Sequence, residues 1–156
     1  LSGTARGETK DLSFNPLYGT NHKFYGFMDY FYVGNFHGQA SGGRTSGLID
    51  VHLKTKFGLG KKSNLAANLH YFASPVSIYQ GPGVTGGTYG SGLGTEVDLV
   101  YTLVLSPDVK FNLGYSQMFA TETMEAIKSG GDRNALNNWA WAMIAFKPRL
   151  FTTAKE

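Results

Sequence analysis

The sequence contains no cysteine, so it can build no disulfide, no thiolate nucleophile and no Cys-ligated metal centre, and its redox compartment stays open. Charge is scarce as well. Asp, Glu, Lys and Arg make up 16% of the 156 residues, and the net charge is only +3, with no dense Lys/Arg run. A nucleic-acid partner is therefore excluded from the reading, because phosphate binding needs a concentrated basic footprint. No apolar run approaches the ~18 residues of a transmembrane helix. The N-terminus also lacks a charged stretch followed by an apolar one, the pattern of a secretory leader. What remains is a soluble protein, a mature secreted one, or a membrane β-barrel, the spanning architecture that hydropathy does not flag. Catalytic signatures are missing too. There is no GxSxG, HExxH or P-loop, and the four histidines (His22, His37, His52 and His70) are scattered, so no enzyme activity, catalytic residue, cofactor or metal is expected.

What is present is glycine (21 residues) together with Phe and Tyr (11 and 9), a composition that points to an all-β protein in one domain. Alternation locates the strands. Gly47 to Phe57 sets Ile49, Val51, Leu53, Thr55 and Phe57 against Asp50, His52, Lys54 and Lys56. Asn64 to Ala73 follows after a GKKS turn and forms a hairpin with it. Thr95 to Leu105 and Val109 to Ala120 make a second pair around the SPD turn at 106–108. Asn137 to Phe146 is a last strand of ambiguous parity, with Trp139, Trp141 and Met143 on one face and Ala140, Ala142, Ile144 and Phe146 on the other, and Pro148 ends its pairing. Residues 74–93 and 121–136 are long connections. The first is too polar for core, and the second has room for a helical turn capped by Thr121 and stopped at Gly130.

Connection lengths alternate, short at 58–63 and 106–108, long at 74–93 and 121–136. Short turns at one end and long loops at the other are the pattern of outer-membrane barrels, and ten-residue strands suit a tilted span of ~9 to 11 residues. Tyrosines and tryptophans near strand ends suggest interfacial girdles. The alternating polar face would line a wet lumen: Asp50, His52, Lys54, Lys56, Glu96, Asp98 and Lys110. A soluble β-sandwich, or a small barrel binding carbohydrate through its aromatic loops, would show the same alternation, with those side chains facing bulk water. Five or six strands are too few to close a membrane barrel, which needs at least eight, and an open edge in lipid is not tolerated. The abrupt start at LSGT is accordingly read as the start of a piece.

The blocks FNPLYGTNHKFYGFMDYF, GLIDVHLKTKF, SNLAANLHYFASP and GSGLGTEVDLVYTLVLSPDVKFNLGYSQMF, followed by a strand near FKPRLF, resemble the C-terminal part of the alginate-export-like outer-membrane porin family. The resemblance runs from about Leu12 to Phe151. It implies the last five or six strands of an antiparallel transmembrane β-barrel of about eighteen. The location is the outer membrane of a Gram-negative bacterium, with lipid, lipopolysaccharide and the upstream rest of the barrel as partners. The implied activity is passive passage of a hydrophilic, anionic carbohydrate solute or polysaccharide. It also places the C-terminus in the periplasm, which makes 4–45 one long extracellular loop and 46–151 the barrel strands. This sequence departs from the family's electropositive lumen, because Lys54, Lys56 and Lys110 stand against Asp50, Glu96 and Asp98.

Within that loop, NPLYGTNHKFYGFMDYFYV (15–33) crowds aromatics in neither a helical nor a strand period. The expectation is a segment folded over or into the pore mouth, with His22, Lys23, Tyr25 and Asp29 as the polar handles of a constriction. A loop packed on itself is the plainer alternative. The charged residues of the strands either form a field across the lumen or pair as wall salt bridges. His52 and His70 share a hairpin face and read as ordinary lumen polarity, with a metal site as the lesser alternative. Trp139 and Trp141 either anchor a lipid interface or stack a sugar.

Overall fold

The computed structural model describes residues 1–14, 24–31, 45–81, 85–128, 131–148 and 151. Its architecture is all-β with little helix. Five antiparallel strands form one sheet in sequence order: β1 (Ile49–Gly58), β2 (Ser63–Ala73), β3 (Gly92–Ser106), β4 (Val109–Ala120) and β5 (Asn137–Phe146). Among the described residues one six-residue helix, α1 (Glu122–Ile127), stands between β4 and β5. Thr121 caps it as the sequence suggests, accepting a hydrogen bond from the Met124 N–H at 3.3 Å, whereas the expected stop at Gly130 lies outside the described residues. Among the described residues no helix is long and apolar enough to cross a membrane.

Each strand pairs with its neighbour in chain order, so the turns set the geometry. The β1–β2 and β3–β4 connections are tight, and all the long segments gather at the opposite end of the sheet. β3 begins three residues before the alternation does, because Gly92–Gly94 continue the ladder through a bulge opposite Phe72 and Ala73. The 74–93 connection is less loop-like than its polarity suggests. Tyr79 and Thr88 form a bridge, flanked by a Tyr89 N–H bond to the Ile78 carbonyl at 2.8 Å, and Ile78 and Leu93 are fully buried.

Residues 1–4 also pair. Leu1 and Leu48 exchange hydrogen bonds of 2.7 and 3.0 Å, and the Thr4 N–H reaches the Thr45 carbonyl at 2.9 Å. These bonds make a short antiparallel ladder just beyond the end of β1.

Register fixes the two faces. On one, Asp50, His52, Lys54 and Lys56 of β1 lie beside His70 and Asn68 of β2, Glu96 and Asp98 of β3, and Ser116 and Lys110 of β4. The other face carries no charged residue on any strand. It is also bare: Val51, Leu53, Leu69, Phe119, Ile144 and Phe146 are all exposed. The buried core lies on the polar side, at the long-loop end, where Phe31, Leu48, Phe72, Leu93, Met118 and Met124 cluster. This sheet is covered over the long-loop half of its charged face and open on the face without charges, the reverse of a soluble antiparallel sheet.

Candidate functional site

β5 resolves the ambiguous parity. Its register puts Trp139 across from Ser116 and Trp141 across from Gly114, on the polar face, so neither tryptophan belongs to a girdle on the apolar side. Gly114 makes this orientation possible, since a Cβ there would lie 2.1 Å from the Trp141 ring. The two rings stand 6.3 Å apart and line the polar face next to β4.

The seven charged and histidine positions singled out in the sequence occupy that same face, but they segregate along it. Lys54, Lys56 and Lys110 are exposed and lie toward the tight turns. Asp50, His52, Glu96 and Asp98 lie toward the long loops, where Asp50 is nearly covered and Glu96 and Asp98 are wholly buried. The buried acids have partners of their own on this face. Ser116 donates to Asp98 Oδ1 at 2.6 Å, and His70 Nε2 lies 3.9 Å from Asp98 Oδ2. Asp50 faces two rings, with His70 Nδ1 at 3.0 Å and His52 Nδ1 at 3.3 Å. In the register Lys54 and Lys56 stand across from Asn68 and Ala66.

Residues 24–31 account for the burial. They form no strand of the sheet and lie against its polar face. The Met28 N–H donates to Glu96 Oε1 at 2.9 Å, and the Phe27 N–H also reaches that carboxylate. Gly26 makes the close approach, with φ of 82° and no room for a Cβ, which would fall 2.5 Å from Glu96 Oε1. Asp29 takes a left-handed φ of 56°, which turns the chain toward Phe31. Phe31 packs on Phe72 with centroids 4.8 Å apart, and Phe72 stacks on His70 at 5.6 Å.

From the outer side the segment is held by α1. Lys128 donates to the Tyr30 carbonyl, and its ammonium sits 5.4 Å above the Phe31 ring. Thr121 and Thr123 tie α1 to the start of β3 and the residues just before it, through the Gly92 and Gly90 carbonyls at 2.7 Å each. Burial pushes the Lys128 ammonium pKa down. It pushes the Tyr25 and Tyr30 hydroxyls up, with smaller contributions from the charges of Asp50 and Glu96 respectively.

Of the constriction handles, Tyr25 and Asp29 therefore belong to a segment seated on the polar face, while His22 and Lys23 lie outside the described residues. Two contributors, Ser116 and Lys128, were not singled out from the sequence, and a third was seen only in part. His70 was visible as a neighbour of His52, but its burial was not. Ser116 was visible only as a small polar residue of the right parity, and Lys128 carried no signal. Compared with known proteins, the chain matches no family model, no curated protein and no solved structure.

Proposed function

We propose that this chain is a wall segment of an outer-membrane β-barrel porin, related to the alginate-export-like family, that passes a hydrophilic carbohydrate solute without catalysis. The observation that carries the reading is the uncharged, exposed face across all five strands. Five strands of about ten residues present a surface on the order of 800 Å² at ordinary strand spacing. Soluble monomers seldom leave more than a few hundred Å² of contiguous apolar surface open. Hydrocarbon accepts such a face. A ten-residue strand is about 34 Å long, and a tilt of ~40° reduces that to ~26 Å, close to the ~25 Å apolar band of barrel proteins.

β1 and β5 each pair on one side only within this sheet. In lipid those edges require further strands. The antiparallel Leu1–Leu48 and Thr4–Thr45 bonds support the reading that the β1 edge accepts a further strand. In this barrel the polar face lines the lumen, segment 24–31 narrows its outer mouth, and Lys54, Lys56 and Lys110 give the periplasmic half a positive wall that favours anionic solutes.

The deciding experiment is fractionation of the full-length protein followed by single-channel recording in planar bilayers. Recovery from the outer-membrane fraction only with detergent, and a conductance whose anion preference falls when Lys54, Lys56 and Lys110 are replaced by Gln, are expected. Full solubility in buffer would end the porin reading in favour of a soluble carbohydrate-binding β-protein.

A further inference from the structure

We propose that Asp50, His52 and His70 form a binding site for a first-row divalent transition-metal ion of the zinc class on the polar face, beneath segment 24–31. From the sequence the two histidines read chiefly as ordinary polarity, with a metal site as the lesser alternative, and Asp50 is the ligand that the fold adds. His52 and His70 are directly opposed on β1 and β2, and Asp50 sits on the same face two residues before His52. One ligand atom from each of the three residues falls within 4.8 Å of the others. Asp50 Oδ2 stands between the two rings, 3.3 Å from His52 Nδ1 and 3.1 Å from His70 Nδ1.

Those separations have a natural meaning in coordination chemistry. With metal–ligand bonds of about 2.1 Å, neighbouring donor atoms lie ~3.0 Å apart around an octahedral ion and ~3.4 Å apart around a tetrahedral one. The two Asp50–His edges already fall in this window. Only the His52–His70 edge has to shorten, and His52 is the ring with freedom to move, its side chain being 42% exposed. Two imidazoles and one carboxylate select Zn²⁺, Ni²⁺, Cu²⁺ or Fe²⁺ over Ca²⁺ and Mg²⁺, which take oxygen ligands. The remaining coordination positions open on the exposed side of His52, where water or solute can complete the shell.

An independent observation is the support behind His70. When His70 binds metal through Nδ1, the N–H on Nε2 faces Asp98 Oδ2, 3.9 Å away. Asp98 is completely buried, that oxygen has no hydrogen-bond partner, and its other oxygen is fixed by Ser116 at 2.6 Å. A carboxylate behind a ligating histidine sets the ring's tautomer and orientation in metal sites generally. Here a buried carboxylate, fixed by Ser116 and next to the Glu96 carboxyl, is positioned for that role.

The test is titration of the full-length protein, stripped with chelator, with Co²⁺ and then Zn²⁺. Expected are one Co²⁺ equivalent with a visible ligand-field spectrum and its displacement by Zn²⁺. His52→Ala, a change on an exposed ring that does not threaten the fold, should weaken binding at least tenfold. Asp98→Asn should weaken it ten- to a hundredfold. A variant lacking His22 and His37 should bind as the parent does. Absence of a ligand-field spectrum at millimolar Co²⁺, or equal affinity in His52→Ala, overturns the site. Barrel failure is separately visible, since Co²⁺ binding by a protein that needs no detergent would uphold this site while removing the porin.

Discussion

At the scale of the residue, two glycines decide what the polar face can hold. Gly114 gives its Cβ space to the Trp141 ring. Gly114→Ala should therefore destabilise the folded protein by about 1–3 kcal/mol, the usual cost of overpacking a filled site. Trp141→Ala in the same chain should recover most of that loss in a double-mutant cycle of denaturant unfolding. Additive losses would mean that the ring does not press on Gly114. Gly26 does the corresponding work for the segment above Glu96, combining a left-handed φ with a contact that leaves no Cβ space. Gly26→Ala should raise proteolytic cleavage within 24–31 while the sheet's far-ultraviolet dichroism stays unchanged.

At the scale of the element, segment 24–31 is a strap fastened from both sides, by Glu96 through its backbone N–H groups and by Lys128 through the Tyr30 carbonyl and the Phe31 ring. Its pH response follows from the groups outside the strands. Tyr25 and Tyr30 have raised pKa values when seated, so their contribution is complete below the free tyrosine value and is lost as pH rises through the raised values. Lys128 has a lowered pKa, so its cost is present at neutral pH and is relieved as pH rises through that lowered value. The two phenols therefore loosen the strap as pH rises through their raised values, and the ammonium acts in the opposite sense. Protease sensitivity of the strap should rise there, and Tyr25→Phe with Tyr30→Phe should abolish the rise, whereas Lys128→Gln should leave it in place and loosen the strap at neutral pH. A strap equally protected at pH 8 and pH 11 would contradict this.

At the scale of the whole molecule, the sheet is inside out by the standards of soluble proteins, and this gives a test with opposite signs for the two architectures. Leu53 is central on β1 and 62% exposed on the uncharged face. In a membrane barrel Leu53→Lys should cost about 2–4 kcal/mol, and Ile49→Lys, at the strand end, about 0–1. In water both changes would be neutral or would improve solubility. Folding into lipid vesicles, followed by denaturant titration, measures the difference.

The sequence by itself determined the strands, because period-2 alternation reports local pleat geometry and needs no knowledge of neighbours. It also determined the composition of the polar face and the alternation of short and long connections. Only the tertiary structure decided the parity of β5, since NNWAWAMIAF offers apolar residues to both faces and the pairing of Trp141 with Gly114 breaks the tie. The partners of the acids were equally hidden. Which of Lys54, His70 or Ser116 meets Asp98 depends on inter-strand register, a long-range property to which no single strand's pattern refers. The seating of 24–31 was the furthest from view, because an aperiodic segment acquires its conformation from what it packs against, in this case Glu96, Phe72 and Lys128.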